Sequence, residues 1–188
     1  MKEIETSWIE TGYRFFAYEG PVGLKVERLS KQVGKNKSSF YHLFADLEVF
    51  TERLLNFHFH QAQIIAEKES ACTSEKELIT ILLEHKTDLL FNCQLRIHRE
   101  NSDFHHYVDK INQITIPAIL PIWSKLIGLS DNSYLAQMVL NLSLENFNLQ
   151  ISDSTLNEEW LSSYFRGIRN MVSQFKQNQG LPALDANV

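Results

Sequence analysis

The chain contains little cysteine, glycine or proline, and each scarcity excludes a class of structure. Its two cysteines, Cys72 and Cys93, cannot build a disulfide framework, and their spacing matches no paired metal or redox motif. Seven glycines and four prolines are few for 188 residues, and none of them lies between Lys35 and Thr115. Sandwiches and barrels need many tight turns made from these residues, so we expect long helices instead.

Long apolar runs are also missing. The most apolar run, Ile114 to Trp123, is about half as long as a bilayer span and contains Pro117 and Pro121. The first ten residues carry three acids and no apolar core, which is unlike a signal peptide. Hydrophobic residues make up 44% and charged residues 22% of the chain, as in ordinary globular proteins. We therefore expect a soluble, cytoplasmic protein with no membrane partner.

The charge is unevenly distributed along the chain. The formal net charge is −5, yet residues 1–46 carry seven basic and six acidic residues, against eleven and seventeen in residues 47–188. One stretch holds five basic residues and one acid, Glu27. Its basic residues, here called the basic cluster, are Lys25, Arg28, Lys31, Lys35 and Lys37. The acidic chain argues against indiscriminate nucleic-acid binding, but this cluster is the electrostatic footprint that a DNA site needs.

Hydrophobic spacing predicts an all-α fold of about nine helices and no strand. Gly20-Pro21 ends the first helix, Gly34 ends a short second one, and Asn36 and Asp46 are expected N-caps. Pro117 and Pro121 are expected to kink a helix or to reset its start. The predicted segments are about 4–20, 26–33, 37–44, 46–65, 74–93, 100–113, 115–129, 134–152 and 156–177. The tail from residue 177 onward has no periodicity and is expected to fray.

The second and third segments, joined at Gly34, form a candidate helix-turn-helix. In such a unit one helix braces the other, which enters the major groove. Phe40, Leu43 and Phe44 share one face of the third segment and can anchor it. The remaining side chains carry donors for phosphates or base edges: Lys37, Ser38, Ser39, Tyr41 and His42. Spacing alone leaves a second interpretation open, a small three-helix subdomain with a solvated basic face.

Two stretches carry a more specific resemblance. Residues 8–20 read WIETGYRFFAYEG, and residues 26–44 end in FYHLF. Over about residues 6–55 the chain resembles the N-terminal domain of TetR-family (tetracycline-repressor-like) transcriptional regulators. The resemblance implies a helix-turn-helix DNA-binding domain at 1–46 and a helical effector-binding and dimerisation domain at 47–188. The residues that would contact DNA are Lys25, Lys35, Asn36, Lys37, Ser38, Ser39, Tyr41 and His42.

The chain departs from the family pattern at three positions. Leu24-Lys25 stand where a small hydroxyl residue usually caps the supporting helix, and lysine can neutralise a phosphate but cannot cap. Lys35 follows the turn glycine, where an apolar residue is usual. Leu47 stands near the start of the fourth helix, where a lysine is common. The operator sequence therefore does not follow from the resemblance.

For the rest of the chain the resemblance implies a homodimer whose last two helices pack against their symmetry mates. The broad apolar coverage of these two helices supports this independently, although both could also serve the intramolecular core. The expected seam residues are Leu161, Tyr164, Phe165, Ile168 and Val172. The resemblance also implies a small-molecule effector pocket, since such pockets are mostly apolar with a few polar anchors. Six aromatic residues are candidates for its lining, and each could instead be core: Phe57, Phe91, Phe104, Tyr107, Trp123 and Phe147. Asn141 and Glu145 are candidate polar anchors, which could equally lie at the dimer seam or in water.

Catalytic and metal motifs are not found. His105 and His106 point about 100° apart on a helix, so with His98 and Asp103 they do not form one ligand face. The sequence has no HExxH motif, no phosphate-binding glycine loop and no nucleophile elbow. We therefore expect no enzymatic activity, no cofactor and no metal. The favoured function is a ligand-responsive dimeric repressor that binds a palindromic operator. The alternative is a helical dimeric module that regulates through a protein partner.

Overall fold

A computed structural model describes residues 3–178, and the fold of these residues is all-α. They form nine α-helices, one short 3-10 turn at Pro21–Gly23 and no strand, which confirms the predicted fold class. The end of the tail that is expected to fray, residues 179–188, lies outside the described residues. The helices are α1 Glu3–Glu19, α2 Val26–Val33, α3 Lys37–Phe44, α4 Leu47–Ser70, α5 Glu75–Glu84, α6 Lys86–Ile97, α7 Ser102–Leu126, α8 Ser133–Gln150 and α9 Glu158–Asn178.

The chain divides into two compact units. Unit 1 contains the described residues up to Ile65 together with His85–Thr115, and unit 2 contains Ala66–Glu84 together with the described residues from Ile116 onward. Helix α6 packs along α1, which places it with the first three helices in unit 1. The functional boundary expected after residue 46 stays a prediction, because compactness does not measure function.

An aromatic cluster in unit 1 supports α3 from beneath. The ring centroids of Trp8 and Phe40 lie 5.4 Å apart, and those of Phe44 and Phe50 lie 4.8 Å apart. All four side chains are almost completely buried. Helix α1 approaches this cluster at Gly12, where an added Cβ would lie 2.4 Å from Phe50 Cζ. A side chain at position 12 would therefore displace the ring on which α3 rests.

Two helix boundaries differ from those that the sequence predicts. Helix α7 continues through both Pro117 and Pro121, so the expected restart near residue 115 is wrong. Each proline removes one backbone N–H donor. Ile122 and Trp123, which follow in the same helix, are buried in the core of unit 2, and this packing favours the helix on the far side of the prolines. Conversely, the segment predicted over 74–93 is divided at His85, whose φ of −101° and ψ of 26° interrupt the helical backbone.

Unit 2 has its own core, to which α8 and α9 both contribute. The Tyr164 hydroxyl of α9 donates a hydrogen bond to the Ser143 carbonyl oxygen of α8 at 2.6 Å. The ring of Phe147 lies 5.7 Å from that of Trp160 and 5.6 Å from that of Tyr164. These contacts fix the two helices against each other within one chain. No helix in residues 3–178 is long and apolar enough to cross a membrane.

Candidate DNA-binding site

The connection between α2 and α3 is a tight turn that two residues set. Gly34 adopts φ 70° and ψ 30°, a left-handed conformation, and the N–H of Lys35 donates to the Ser30 carbonyl oxygen at 3.1 Å. Nothing lies within 4 Å of a Cβ added to Gly34, so backbone conformation rather than space favours glycine there. Asn36 Oδ1 then accepts the N–H of Ser39 at 2.9 Å and caps α3. The predicted helix end and N-cap are both confirmed.

Helix α3 has one buried face and one exposed polar face. Phe40 and Phe44 are buried in the aromatic cluster, and Leu43 is half-buried beside them. Ser39 is half-buried, while the rest of the predicted DNA-contacting residues on this helix are exposed: Lys37, Ser38, Tyr41 and His42. The exposed face carries an ammonium, hydroxyls and an imidazole, which can bond to phosphates and base edges. Of the predicted residues outside α3, Lys25, Lys35 and Asn36 are also exposed.

Lys25 occupies the N-cap position of α2 without capping it. Its backbone is extended, with φ −120° and ψ 123°, and its side chain makes no hydrogen bond to the helix. The Lys25 carbonyl oxygen accepts the N–H groups of Arg28 and Leu29, both at 2.9 Å. The side chain is exposed. This agrees with the expectation that a lysine in this place gives up the cap and keeps its charge.

Two members of the basic cluster form ion pairs within the chain. Arg28 donates two hydrogen bonds to the Glu19 carboxylate, and its guanidinium lies 4.0 Å from the centroid of the Phe15 ring. The Lys37 ammonium pairs with Oε1 of Glu27. Hydrogen bonds from Arg28 and Lys37 lower the pKa of Glu19 and of Glu27, respectively. Sequence reasoning assigned no role to Glu27, although it is the only acid among the five basic residues.

A buried polar network in unit 1 was also missed. The Tyr13 hydroxyl donates to Asp88 Oδ1 at 2.6 Å, so His58 Nδ1, 2.7 Å away, is the donor to the same phenol oxygen. His85 Nδ1 lies 2.9 Å from the other oxygen of Asp88. Burial lowers the pKa of His58 to about 3. Burial and the Asp88 carboxylate together raise the pKa of Tyr13. The network connects α1, α4 and α6, and only the i, i+3 spacing of His85 and Asp88 hints at it in the sequence.

The predicted effector residues fall into two groups, one in each unit. In unit 1, the Phe91 ring stacks 4.3 Å from that of Phe16, and the Phe104 ring meets Phe16 at 5.5 Å. Phe57 lies 5.0 Å from Tyr13. Tyr107 donates a hydrogen bond to Asn56 Oδ1 at 2.8 Å. Phe91 and Phe104 therefore belong to the core around Phe16, and their role as pocket residues stays a prediction.

The other four predicted effector residues lie in unit 2. Trp123 is buried, with its ring 6.3 Å from that of Phe165, and its Nε1 has no hydrogen-bond acceptor among the described residues. Phe147 is buried between α8 and α9. Asn141 and Glu145 are exposed on α8.

The residues predicted for the dimer seam require a correction. Leu161, Phe165, Ile168 and Val172 are at most 8% exposed in the single chain, so they form the core of unit 2. Tyr164 is half-buried. Periodicity identified the apolar stripe of α9 but could not tell that the chain's own helices cover it. Other apolar side chains remain exposed on α8 and α9: Leu135, Met138, Leu142, Leu149, Met171 and Phe175.

The histidines do not gather into a metal site. His98 lies 3.6 Å from a Glu100 carboxylate oxygen, and His105 lies 3.5 Å from one of Asp109. Over residues 3–178, no group of three or more His, Cys, Asp or Glu side chains could hold a metal ion.

Two short helices joined through a left-handed glycine, with an aromatic anchor beneath and a polar face outside, define a helix-turn-helix fold. No protein-family model matches the sequence. An uncharacterised HTH-type transcriptional regulator of Bacillus subtilis (strain 168), YuxN, is 26% identical over 128 residues, which cover 56% of this chain and 44% of YuxN. The chain thus spans less than half the length of this curated relative.

A solved structure supports the same assignment over nearly the whole chain. The crystal structure of a putative TetR-family transcriptional regulator from Rhodococcus sp. matches with a TM-score of 0.55 and 16% identity, covering 97% of this chain and 100% of that one. The chain therefore shares the fold of that protein, and the fold that the sequence resemblance implies is confirmed. Both of these proteins are described as transcriptional regulators.

Proposed function

We propose that this chain is a DNA-binding transcriptional regulator of the TetR type and that α3 is its recognition helix. The observation that carries the proposal is the two-faced build of α3. Phe40 and Phe44 fix the helix to the aromatic cluster, while its opposite face offers polar donors to solvent. A helix held in this way can enter the major groove without exposing apolar surface. A regulator that acts on DNA would work in the cytoplasm of its cell.

Within this proposal the contacts divide by chemistry. Lys25, Lys35 and Lys37 neutralise backbone phosphates, because each carries an exposed ammonium at the start of α2, in the turn or at the start of α3. Ser38 and Ser39 meet base edges, since the N-terminal part of a recognition helix enters the groove most deeply. Tyr41 and His42 contact the sugar-phosphate backbone, as does the side-chain nitrogen of Asn36, whose oxygen caps the helix.

The proposed assembly is a homodimer through the exposed apolar surface of α8 and α9. Leu142 and Leu149 are 71% and 85% exposed, and with Leu135 and Met138 they follow one face of α8. Met171 and Phe175 of α9 are also exposed. Apolar side chains in such a row are typical of an interface, and a second copy presents the same row across a two-fold axis. Such a dimer could place two α3 helices in major grooves about 34–36 Å apart, or at a multiple of that spacing.

Repression would be relieved by a small molecule bound by the predicted effector residues of unit 2. Trp123 and Phe147 are buried and Asn141 and Glu145 are polar, and a mostly apolar lining with a few polar anchors is typical of a ligand pocket. Such a ligand would favour a conformation in which the two α3 helices no longer match the operator. Coupling of this kind is typically about 1–3 kcal/mol.

Selection from a pool of random duplexes with the purified chain tests DNA binding directly. Enrichment of a palindromic sequence is the expected result. Failure to enrich any sequence at low salt would contradict the proposal and favour a module that uses its apolar surface to bind another protein.

Sedimentation velocity tests the assembly. The parent is expected to sediment as a dimer, and Leu142→Glu as a folded monomer, since it would bury two unpaired charges at the seam. Gln137→Glu adds the same charge at an exposed position on another face of α8, and it should leave the dimer intact. A monomeric parent at micromolar concentration would contradict the proposed seam.

A further inference from the structure

Glu27, the acid that lies among the residues of the basic cluster, forms an ion pair with Lys37 at the start of α3. Glu27 lies in the first turn of α2, Lys37 is the first residue of α3, and the carboxylate contacts the ammonium directly. The two side chains stay 69% and 52% exposed, so the pair lies at the surface from which α3 would meet DNA. A carboxylate and a phosphate both offer anionic oxygens to an ammonium. Glu27 therefore occupies the place that a DNA phosphate would take on Lys37.

The neighbouring pair shows what a fixed contact looks like on the same surface. Arg28 is held by two hydrogen bonds to Glu19 and by the face of the Phe15 ring. A planar guanidinium held in this way gives up several interactions if it leaves. Lys37 is a point charge on a flexible stem with one carboxylate contact. Arg28 is accordingly committed to the fold, whereas Lys37 can exchange its partner.

We infer that Glu27 competes with DNA phosphates for Lys37 and so lowers the affinity of this chain for any duplex. The inference rests on the proposed function. In the free protein the carboxylate neutralises the lysine. In the complex the ammonium turns to a phosphate and leaves the Glu27 charge close to the DNA. Both effects oppose binding, and salt weakens both because the pair is exposed. Glu27 thus limits non-specific binding by a cluster that would otherwise attract every phosphate backbone.

Fluorescence anisotropy of the full chain with a labelled duplex of random sequence tests this inference across a range of salt concentrations. Four proteins are compared: the parent, Glu27→Gln, Lys37→Gln and the double variant. Glu27→Gln should bind several-fold more tightly at low salt, with a slope of log affinity against log salt steeper by up to about one per recognition helix. Most of this steepening should be lost in the double variant, because it requires the freed Lys37 and only the repulsion between Glu27 and the DNA remains to be removed there.

Glu10→Gln is the matched control, because it removes the same charge from an exposed position of α1 and leaves the contact between Glu27 and Lys37 in place. It should not steepen the salt slope. Thermal unfolding of each variant checks that the fold is kept. The inference would be overturned if Glu27→Gln did not raise the affinity for the duplex. It would also be overturned if the substitution raised the affinity equally with and without Lys37. Failure of the parent itself to bind any duplex at low salt would overturn the proposed function, and that result is visible before any variant is compared.

Discussion

The buried faces of helices α3 and α8 are both apolar, but their exposed faces differ: that of α3 is polar and that of α8 carries a row of apolar side chains. Phe40 and Phe44 of α3 are buried in an aromatic cluster, as Leu140 and Phe147 of α8 are buried in the core of unit 2. Outside, α3 presents charged and hydroxyl groups, whereas α8 presents a row of apolar side chains such as Leu142. The polar groups of α3 can form hydrogen bonds with water or with phosphate, whereas the apolar side chains of α8 are stabilised by contact with another apolar surface. One chain thus carries two exposed surfaces whose chemistry suits different partners.

The largest loss of stability is expected when a charge replaces a buried apolar residue of unit 2 rather than an exposed one. Ile168→Glu would bury an unpaired charge in the core, and we expect a loss of unfolding free energy on the order of 5 kcal/mol or more. Met171→Glu, on the same helix but exposed, should keep the chain folded. Urea denaturation followed by circular dichroism measures both. An Ile168→Glu protein as stable as the parent would contradict the assignment of this stripe to the core.

The next largest difference in stability is expected between substitutions on the buried face and on the exposed face of α3. Phe40→Ala removes a fully buried ring that packs against Trp8 and Phe50, and it should cost about 3–5 kcal/mol of unfolding free energy. Tyr41→Ala, one residue further on the exposed face, should cost less than about 0.5 kcal/mol. Chemical denaturation gives both values. Similar costs for the two substitutions would mean that α3 is not anchored through Phe40.

The interior of unit 1 should destabilise in acid because it buries a neutral imidazole. The pKa of His58 is lowered to about 3 in the fold, while the unfolded chain takes up its proton near pH 6.5. Below pH 6.5 the unfolded state therefore binds more protons, and stability falls by up to about 1.4 kcal/mol per pH unit. Comparing the pH dependence of unfolding for the parent and His58→Gln checks this. A slope that the substitution leaves unchanged would contradict the role of His58.

The interior of unit 2 should respond to pH in the opposite direction. Burial raises the pKa of Glu69 to about 8, so the fold keeps a proton that the unfolded chain releases near pH 4.5. Between these values stability falls as pH rises, by up to about 1.4 kcal/mol per unit. Glu69→Gln keeps a neutral side chain of the same shape and should remove this loss. The variant should therefore gain stability over the parent from pH 5 to pH 8, and equal pH profiles would contradict the assignment.

The smallest effect concerns the start of α3. Asn36→Ala removes the cap on the Ser39 N–H and should cost about 1 kcal/mol of unfolding free energy. Asn36→Ser keeps a capping oxygen and serves as the control, with little expected loss. Thermal unfolding distinguishes them. Equal stability of the alanine and serine variants would show that the cap contributes nothing measurable.

Local signals made the first part of the chain predictable. Gly34 ends α2 and Asn36 begins α3 through contacts that span three to five residues, so each is visible in the sequence. The helical spacing of apolar residues predicted that Phe40 and Phe44 are buried and that the candidate DNA-contacting residues are exposed. Resemblance to the TetR family rests on the same short stretch. The operator and the effector depend on contacts with molecules outside the chain, so no local pattern reports them.

The helical class, the helix-turn-helix and the polar face of α3 follow from the sequence, because they depend on neighbours within a few residues. The fold is needed to tell which apolar stripes of α8 and α9 face inward, since periodicity gives the stripe but not the helix that covers it. It also brought Glu27 to Lys37, ten positions away, and Tyr13 to Asp88, seventy-five positions away. Contacts between residues so far apart exist only once the helices have packed, so spacing along the chain cannot encode them.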